Sequence, residues 1–227
     1  MRLLRGLPTL EVRLSGEPAG QRIRIHLRDR VAWGLIPKHR LAQGVLIVPP
    51  AMNEYLPGRS RRALRTNISR AVRAGITVEF LPTAAVRCAA LEKYGGARPG
   101  PLELEWASRA ADEGRVWLAA SDCESRPVGL MIATVDVEWA MLELGVAREQ
   151  AARWLLHNRL LERLSSSGVR YMLTHPYHAL NLPYGARYQQ RLLGYHVFNV
   201  SLGGAQPCRR DTETSEPLLA AGSTADA

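Results

Sequence analysis

WAMLELGVAREQAARWLLHNRLLERLSSSGVRYMLTH, residues 139–175, reads as strand, helix, strand. Residues 139–146 form a short extended run of strand character. Residues 149–167 place Ala152, Leu155, Leu156, Leu160, Leu161 and Leu164 at the spacing of one helical face. Gly168 stops that helix, and residues 169–175 return to a β pattern. Two strands joined by a helix of this length pair in parallel, because the chain must cross back over the sheet before re-entering it.

Working outward, residues 115–121 (RVWLAAS) and 128–136 (VGLMIATVD) are two more strand patterns, with turn chemistry at 122–127 between them. Together with 139–146 they predict an antiparallel meander beside the parallel pair. Residues 84–114 read as helix in two pieces broken by GGARPGP at 95–101, and 76–81 (ITVEFL) as a strand. Downstream, 176–185 is a loop, 186–194 a short helix and 195–202 (YHVFNVSL) a last strand. Near the start, 9–15 (TLEVRLS) and 22–28 (RIRIHLR) both alternate apolar and polar, so an antiparallel hairpin through GEPAG is expected. GVLIV at 44–48 is a buried strand closed by Pro49 and Pro50.

Residues 59–75, RSRRALRTNISRAVRAG, hold six arginines and no acid. Leu64, Ile68, Ala71, Val72 and Gly75 share one helical face. At about 100° per residue, Arg62, Arg65, Ser69, Arg70 and Arg73 gather opposite. Ser60 is the expected N-cap and Gly75 the stop. Like charges this close in a helix repel one another. The cationic face therefore points either to an anionic partner (tRNA, a coenzyme A nucleotide or an acidic substrate) or to a solvated face whose arginines pair with acidic neighbours such as Glu103 and Glu105.

Composition narrows the classes. The 227 residues carry a formal net charge of +9, nearly all from arginine, which favours nucleic acid, phosphorylated cofactors or anionic surfaces as partners. Cys88, Cys123 and Cys208 are far apart with no C-x-x-C pair, and His175 and His178 are the one close histidine pair, so no metal is expected. No apolar run approaches the roughly 18 residues of a membrane span. Glu11 and Arg13 interrupt any signal-like core, and the expectation is a cytoplasmic protein. One domain is expected over 1–203, with a disordered acidic tail at 204–227.

The element order, and two stretches within it, resemble the GNAT N-acyltransferase superfamily, closest to its Fem-type branch of aminoacyl transferases. One stretch is Arg65-Thr66-Asn67-Ile68-Ser69-Arg70-Ala71 followed by Ala74-Gly75-Ile76-Thr77-Val78. The other runs from Pro127-Val128-Gly129 through Leu144-Gly145-Val146 and the long helix to Tyr188–Leu193, Gly194 and Tyr195. The resemblance implies an α+β fold: a GNAT-like mixed central sheet, an antiparallel meander with a parallel pair, flanked by helices. It implies transfer of an acyl or aminoacyl group to an amine, from a coenzyme A thioester or from aminoacyl-tRNA. The competing reading is a basic nucleic-acid-binding or interaction protein on a degenerate acyltransferase fold.

By the same resemblance, Leu144 and Val146 offer strand backbone to an acyl-CoA arm, and Arg148, Ala151, Ala152 and Arg153 form the phosphate-binding loop and helix start. The family's glycines are absent there: Ala151 and Arg153 stand in their places, as suits a donor other than coenzyme A. For the chemistry, Glu143 is the candidate base, and Tyr188 the candidate acid, although Gln190 occupies the position four before Gly194 where the family's tyrosine usually sits. Tyr171 and His175 are candidate cleft residues, and Arg62, Arg65 and Arg73 candidate substrate contacts. Strand alternation equally allows Glu143, Asp136 and Glu138 to face solvent.

Overall fold

The computed structural model describes residues 6–31, 36–94, 114–174 and 184–204. In chain order they form β1 (Thr9–Val12), α1 (Pro18–Arg28), β2 (Arg30–Val31), β3 (Ile36–Pro37), a 3-10 turn (Lys38–Leu41) and β4 (Gln43–Ile47). Then come α2 (Met52–Tyr55), a second 3-10 turn (Arg59–Arg61), α3 (Arg62–Arg73), β5 (Thr77–Phe80) and α4 (Ala84–Tyr94). The rest is β6 (Arg115–Ser121), β7 (Pro127–Asp136), β8 (Trp139–Ala147), α5 (Gln150–Ser166), β9 (Tyr171–Leu173), α6 (Tyr184–Leu193) and β10 (Tyr195–Leu202).

Eight strands join one mixed sheet in the order β1-β10-β4-β9-β8-β7-β6-β5. β5 through β8 are the expected antiparallel meander, and α5 carries the chain over to β9, which pairs with β8 in parallel. Alternation along the strands sorts side chains onto two faces. Val116, Leu118, Ala120, Met131, Ala133 and Ala140 point to the face covered by α3 and α5. On the opposite face, Trp139, Met141, Val45 and Leu173 pack with Ile23 and Leu27 of α1. Beside them, Trp117, Ala119, Leu130 and Ile132 pack with Ala90 and Leu91 of α4. α5 is the central helix: all six residues of its predicted stripe are buried, as are Trp154, His157 and Asn158. Its five leucines each contribute roughly 2 kcal/mol of burial.

The expected hairpin is not there. Residues 18–28 are helix, and β1 pairs in parallel with β10 at the far end of the chain. The run RIRIHLR satisfies both periods, and the helical one wins because it buries Ala19, Gly20, Ile23 and Leu27 on one side while leaving Ile25 69% exposed. Pro18 in the first turn suits a helix start, where its missing N–H costs nothing. Two details of the basic helix also differ. Ser60 lies inside the 3-10 turn and Arg61 is the N-cap, with no side-chain capping bond, and Val72 is exposed at the margin of the buried face. Gly75 does end the helix, with φ +74° and the Ile76 N–H donating back to Ala71 O at 3.1 Å. The second helical piece of 84–114, the loop at 176–185 (but for its last residues) and the tail beyond Gly204 lie outside the described residues.

Gly114 shows how tightly α1 is held to the sheet. Its φ is +73°, and an added Cβ would lie 2.5 Å from Val135 O and 2.6 Å from Ala19 Cβ. Neither backbone nor a buried methyl gives way easily, so Gly114→Ala is expected to cost about 2–4 kcal/mol in urea unfolding. A loss below about 0.5 kcal/mol, an ordinary surface value, would show that α1 packs more loosely than this.

Candidate functional site

β8 and β9 part company early. They are paired only over Trp139–Met141 and Tyr171–Leu173. From Leu142 to Ala147, β8 continues along β7 with no strand on its β9 side among the described residues. Past Leu173 the chain leans away, as the Thr174 N–H donates to Gly44 O of β4 at 3.0 Å. A V-shaped opening results, and its open arm includes Gly145 and Val146, the latter 41% exposed. Unpaired strand backbone in such a gap is a ready hydrogen-bonding edge for an extended ligand.

At the vertex sits Glu143. Ile132 pairs with Leu144 and Ala133 with Leu142, so Glu143 is the extra residue of a β-bulge. A bulge re-aims its side chain, and this one turns into the protein: the Glu143 side chain is only 6% exposed. It lies on the α1/α4 face, where Thr134 donates its hydroxyl to Oε1. Arg115 Nε is 3.3 Å from Oε2, and Arg22 Nη1 of α1 is 3.8 Å from Oε1. Burial raises the Glu143 pKa above the usual carboxylate range, against the opposing pull of the Thr134 hydrogen bond and the Arg22 charge. The outward reading therefore fails for Glu143. It fails too for buried Asp136, which accepts from Ser15 N–H at 2.8 Å and from the Ser15 hydroxyl. Glu138 does face outward and pairs with Arg170 at 3.2 Å.

The open arm ends at Arg148 and at Glu149, the exposed N-cap residue of α5. The Arg148 N–H is tied to Val128 O at 2.8 Å, which leaves its side chain exposed. α5 then begins with no side-chain cap and no acid in its first turn. Its leading N–H groups have no partner within the helix, and the dipole there favours an anion. Gly129, Val146, Ala147 and Arg148 line a depression of about 140 Å³. Ala152 is fully buried in the core, and Ala151 is partly buried against it. Arg153 turns aside and donates to Gln189 Oε1 of α6 at 3.2 Å. The exposed edge at Gly145 and Val146 and the exposed Arg148 side chain are what an extended ligand could meet here. Among the described residues no group of His, Cys, Asp or Glu could hold a metal ion, and no helix is long and apolar enough to cross a membrane.

Other candidates are not all brought together. Tyr188 is 49% exposed, with the Arg191 guanidinium 5.9 Å from its ring centre, whereas Gln190 lies against Gly44 of β4. Tyr171 stacks on Trp139 at 4.7 Å, at the closed end of the β8/β9 pair. There it lines a different depression, of about 440 Å³, with Ile47, Pro50 and Arg170. His175 lies outside the described residues. Of the helix arginines, Arg65 is spent on the preceding loop, donating to Leu56 O and to Gly58 O at 2.9 Å. Arg73 donates to Ser69 O at 3.3 Å, and exposed Arg62 has no ion pair among the described residues. Arg22, Arg115 and Thr134 were not legible as site residues. The one available signal was Arg115 opening a strand that is otherwise apolar.

A meander, a crossover helix and a parallel partner that diverges after three residue pairs define a GNAT-like fold. Solved structures share it. FemX superimposes with a TM-score of 0.54 at 10% identity, covering 73% of this chain and 60% of its own. A conserved protein of unknown function from Bacteroides thetaiotaomicron gives 0.53 at 12% identity, covering 68% of this chain and 56% of its own. The likeness thus extends to the Fem-type form of the fold, and this chain spans less than two thirds of either structure. No protein-family model matches the sequence, and no curated protein matches it.

Proposed function

We propose that the protein is an N-acyltransferase, moving an acyl or aminoacyl group from a coenzyme A thioester or an aminoacyl-tRNA onto an amine. The observation that carries this reading is the splay of β8 from β9 with a buried carboxylate at its vertex. The donor lies along the open Leu144–Val146 edge, and its phosphates face Arg148 and the α5 N-terminus. Arg62 and Arg73, on the neighbouring helix, extend the cationic surface toward the donor's nucleotide portion. The donor supplies an activated carbonyl. The chain's own residues position it and handle the proton. Glu143, held in the bulge by Thr134, accepts a proton from the incoming ammonium, so that neutral nitrogen attacks. Burial suits it to that task by raising its proton affinity.

The test is direct. Purified protein is incubated with radiolabelled acetyl-coenzyme A, or with a charged tRNA pool, and a set of primary amines. Label is expected to appear in an amide product. RNA retained on a filter at low salt without transfer from either donor would favour the non-catalytic binding reading instead.

A further inference from the structure

The polar group around Glu143 is incompletely satisfied. Arg22 Nη1 and Glu143 Oε2 are buried yet have no hydrogen-bond partner among the described residues. The reason is geometric. Thr134 occupies Oε1, which leaves Arg22 at 3.8 Å, beyond hydrogen-bonding distance, and Arg115 meets Oε2 at 3.3 Å without the alignment of a hydrogen bond. Unmade bonds on buried charged groups are costly, and such groups are completed by water, an ion or a ligand. Arg22 is also the one member open to solvent, with 29% of its side chain exposed against 6% for Glu143 and 2% for Arg115. Among the described residues Arg22 makes no hydrogen bond, so moving its guanidinium breaks none.

An acid and a base held a few ångströms apart, each with an unused valence, match a ligand that carries the opposite pair at similar spacing. We infer that the acceptor is a free α-amino acid, its ammonium received by Glu143 Oε2 and its carboxylate by Arg22. A guanidinium is suited to that second contact because its planar fork meets a carboxylate in a bidentate way. This rests on the acyltransfer reading and specifies its acceptor. In the step itself, the ammonium gives a proton to Glu143 and the freed nitrogen forms a C–N bond to the acyl carbon. The C–S or C–O bond of the donor breaks, and the departing sulfur or oxygen takes up a proton. The product is an N-acyl amino acid whose carboxylate still faces Arg22.

Binding and transfer are tested separately. Saturation-transfer NMR is run with pools of the twenty proteinogenic amino acids and with the matching carboxamides, on the wild type, Arg22→Gln and Arg22→Lys. The wild type is expected to prefer an acid over its amide by about tenfold or more. Arg22→Gln is expected to bring that ratio to within about twofold, Arg22→Lys to retain part of it, and both variants to keep the wild-type melting temperature within a few degrees. Equal binding of acids and amides by the wild type, or an unchanged preference in Arg22→Gln, would overturn the inference. Arg22-dependent amino-acid binding without transfer from any donor would instead overturn the acyltransferase reading.

Discussion

Glu143→Gln is expected to lower kcat for amide formation by roughly 10²- to 10⁴-fold, the range for loss of a general base. The amide keeps the volume of the side chain and an oxygen to accept the Thr134 hydroxyl, but it cannot take a proton. Donor KM is expected to change little, since the proposed donor contacts are Leu144, Val146 and Arg148 rather than Glu143. The pH profile sharpens the test. Burial raises the Glu143 pKa, so its basic form accumulates only as pH climbs through that raised value. Wild-type kcat/KM is therefore expected to rise with pH along an acid limb displaced above the ordinary glutamate range, and the variant to lose that limb. Steady-state rates across pH measure both. A variant with near wild-type kcat and the same limb would remove Glu143 from the chemistry.

The second large effect concerns stability. His157 is 2% exposed, with Nε2 3.2 Å from the Tyr195 hydroxyl. Burial, helped by the charge on Arg61, pushes its pKa down to about 3. The unfolded chain takes up a proton near the ordinary value of about 6.5 and the folded chain does not. The stability this histidine contributes is complete above that value and drains away as pH falls toward 3. At pH 4 the loss is on the order of 3 kcal/mol. His157→Gln can still meet the Tyr195 hydroxyl but does not titrate. The fall in unfolding free energy between pH 7 and pH 4 is therefore expected to shrink by about that amount. Urea titrations of both proteins at the two pH values decide it, and equal losses would mean that His157 is not the acid-sensitive group.

The fold was legible where one period dominated and the site was not, for a related reason. α5, β7, β8 and β10 each carry a single unambiguous pattern, and the structure keeps their boundaries to within two residues. RIRIHLR carries two patterns at once. Reading it as a strand placed Arg22 on an outer hairpin, so its approach to Glu143 was invisible. Glu143 itself was ambiguous because alternation assumes an unbroken ladder, and the bulge between Ile132 and Ala133 breaks it. Neither the extra residue nor the resulting turn inward leaves a mark on composition. The cationic helix misled in a milder way: charge identified it, but Arg65 and Arg61 are committed to carbonyls of nearby segments, with Arg61 Nη1 2.6 Å from Leu192 O. Counting arginines overstates how many remain for a ligand.

The placement of β4 bears on how the chain is made. It lies near the start of the sequence, yet its neighbours in the sheet are β9 and β10, the last two strands. A ribosome releasing the chain from its N-terminus exposes Val45 and Leu46 long before either neighbour exists. The meander of β5 to β8 pairs strands close in sequence and can assemble while synthesis continues. β4 must wait with both edges bare until Tyr171–Leu173 has emerged, and with one edge bare until Tyr195 and the residues after it follow. Nascent chains stalled before that point would present a sticky strand to holdase chaperones, which makes the emergence of β10 the step that commits the sheet.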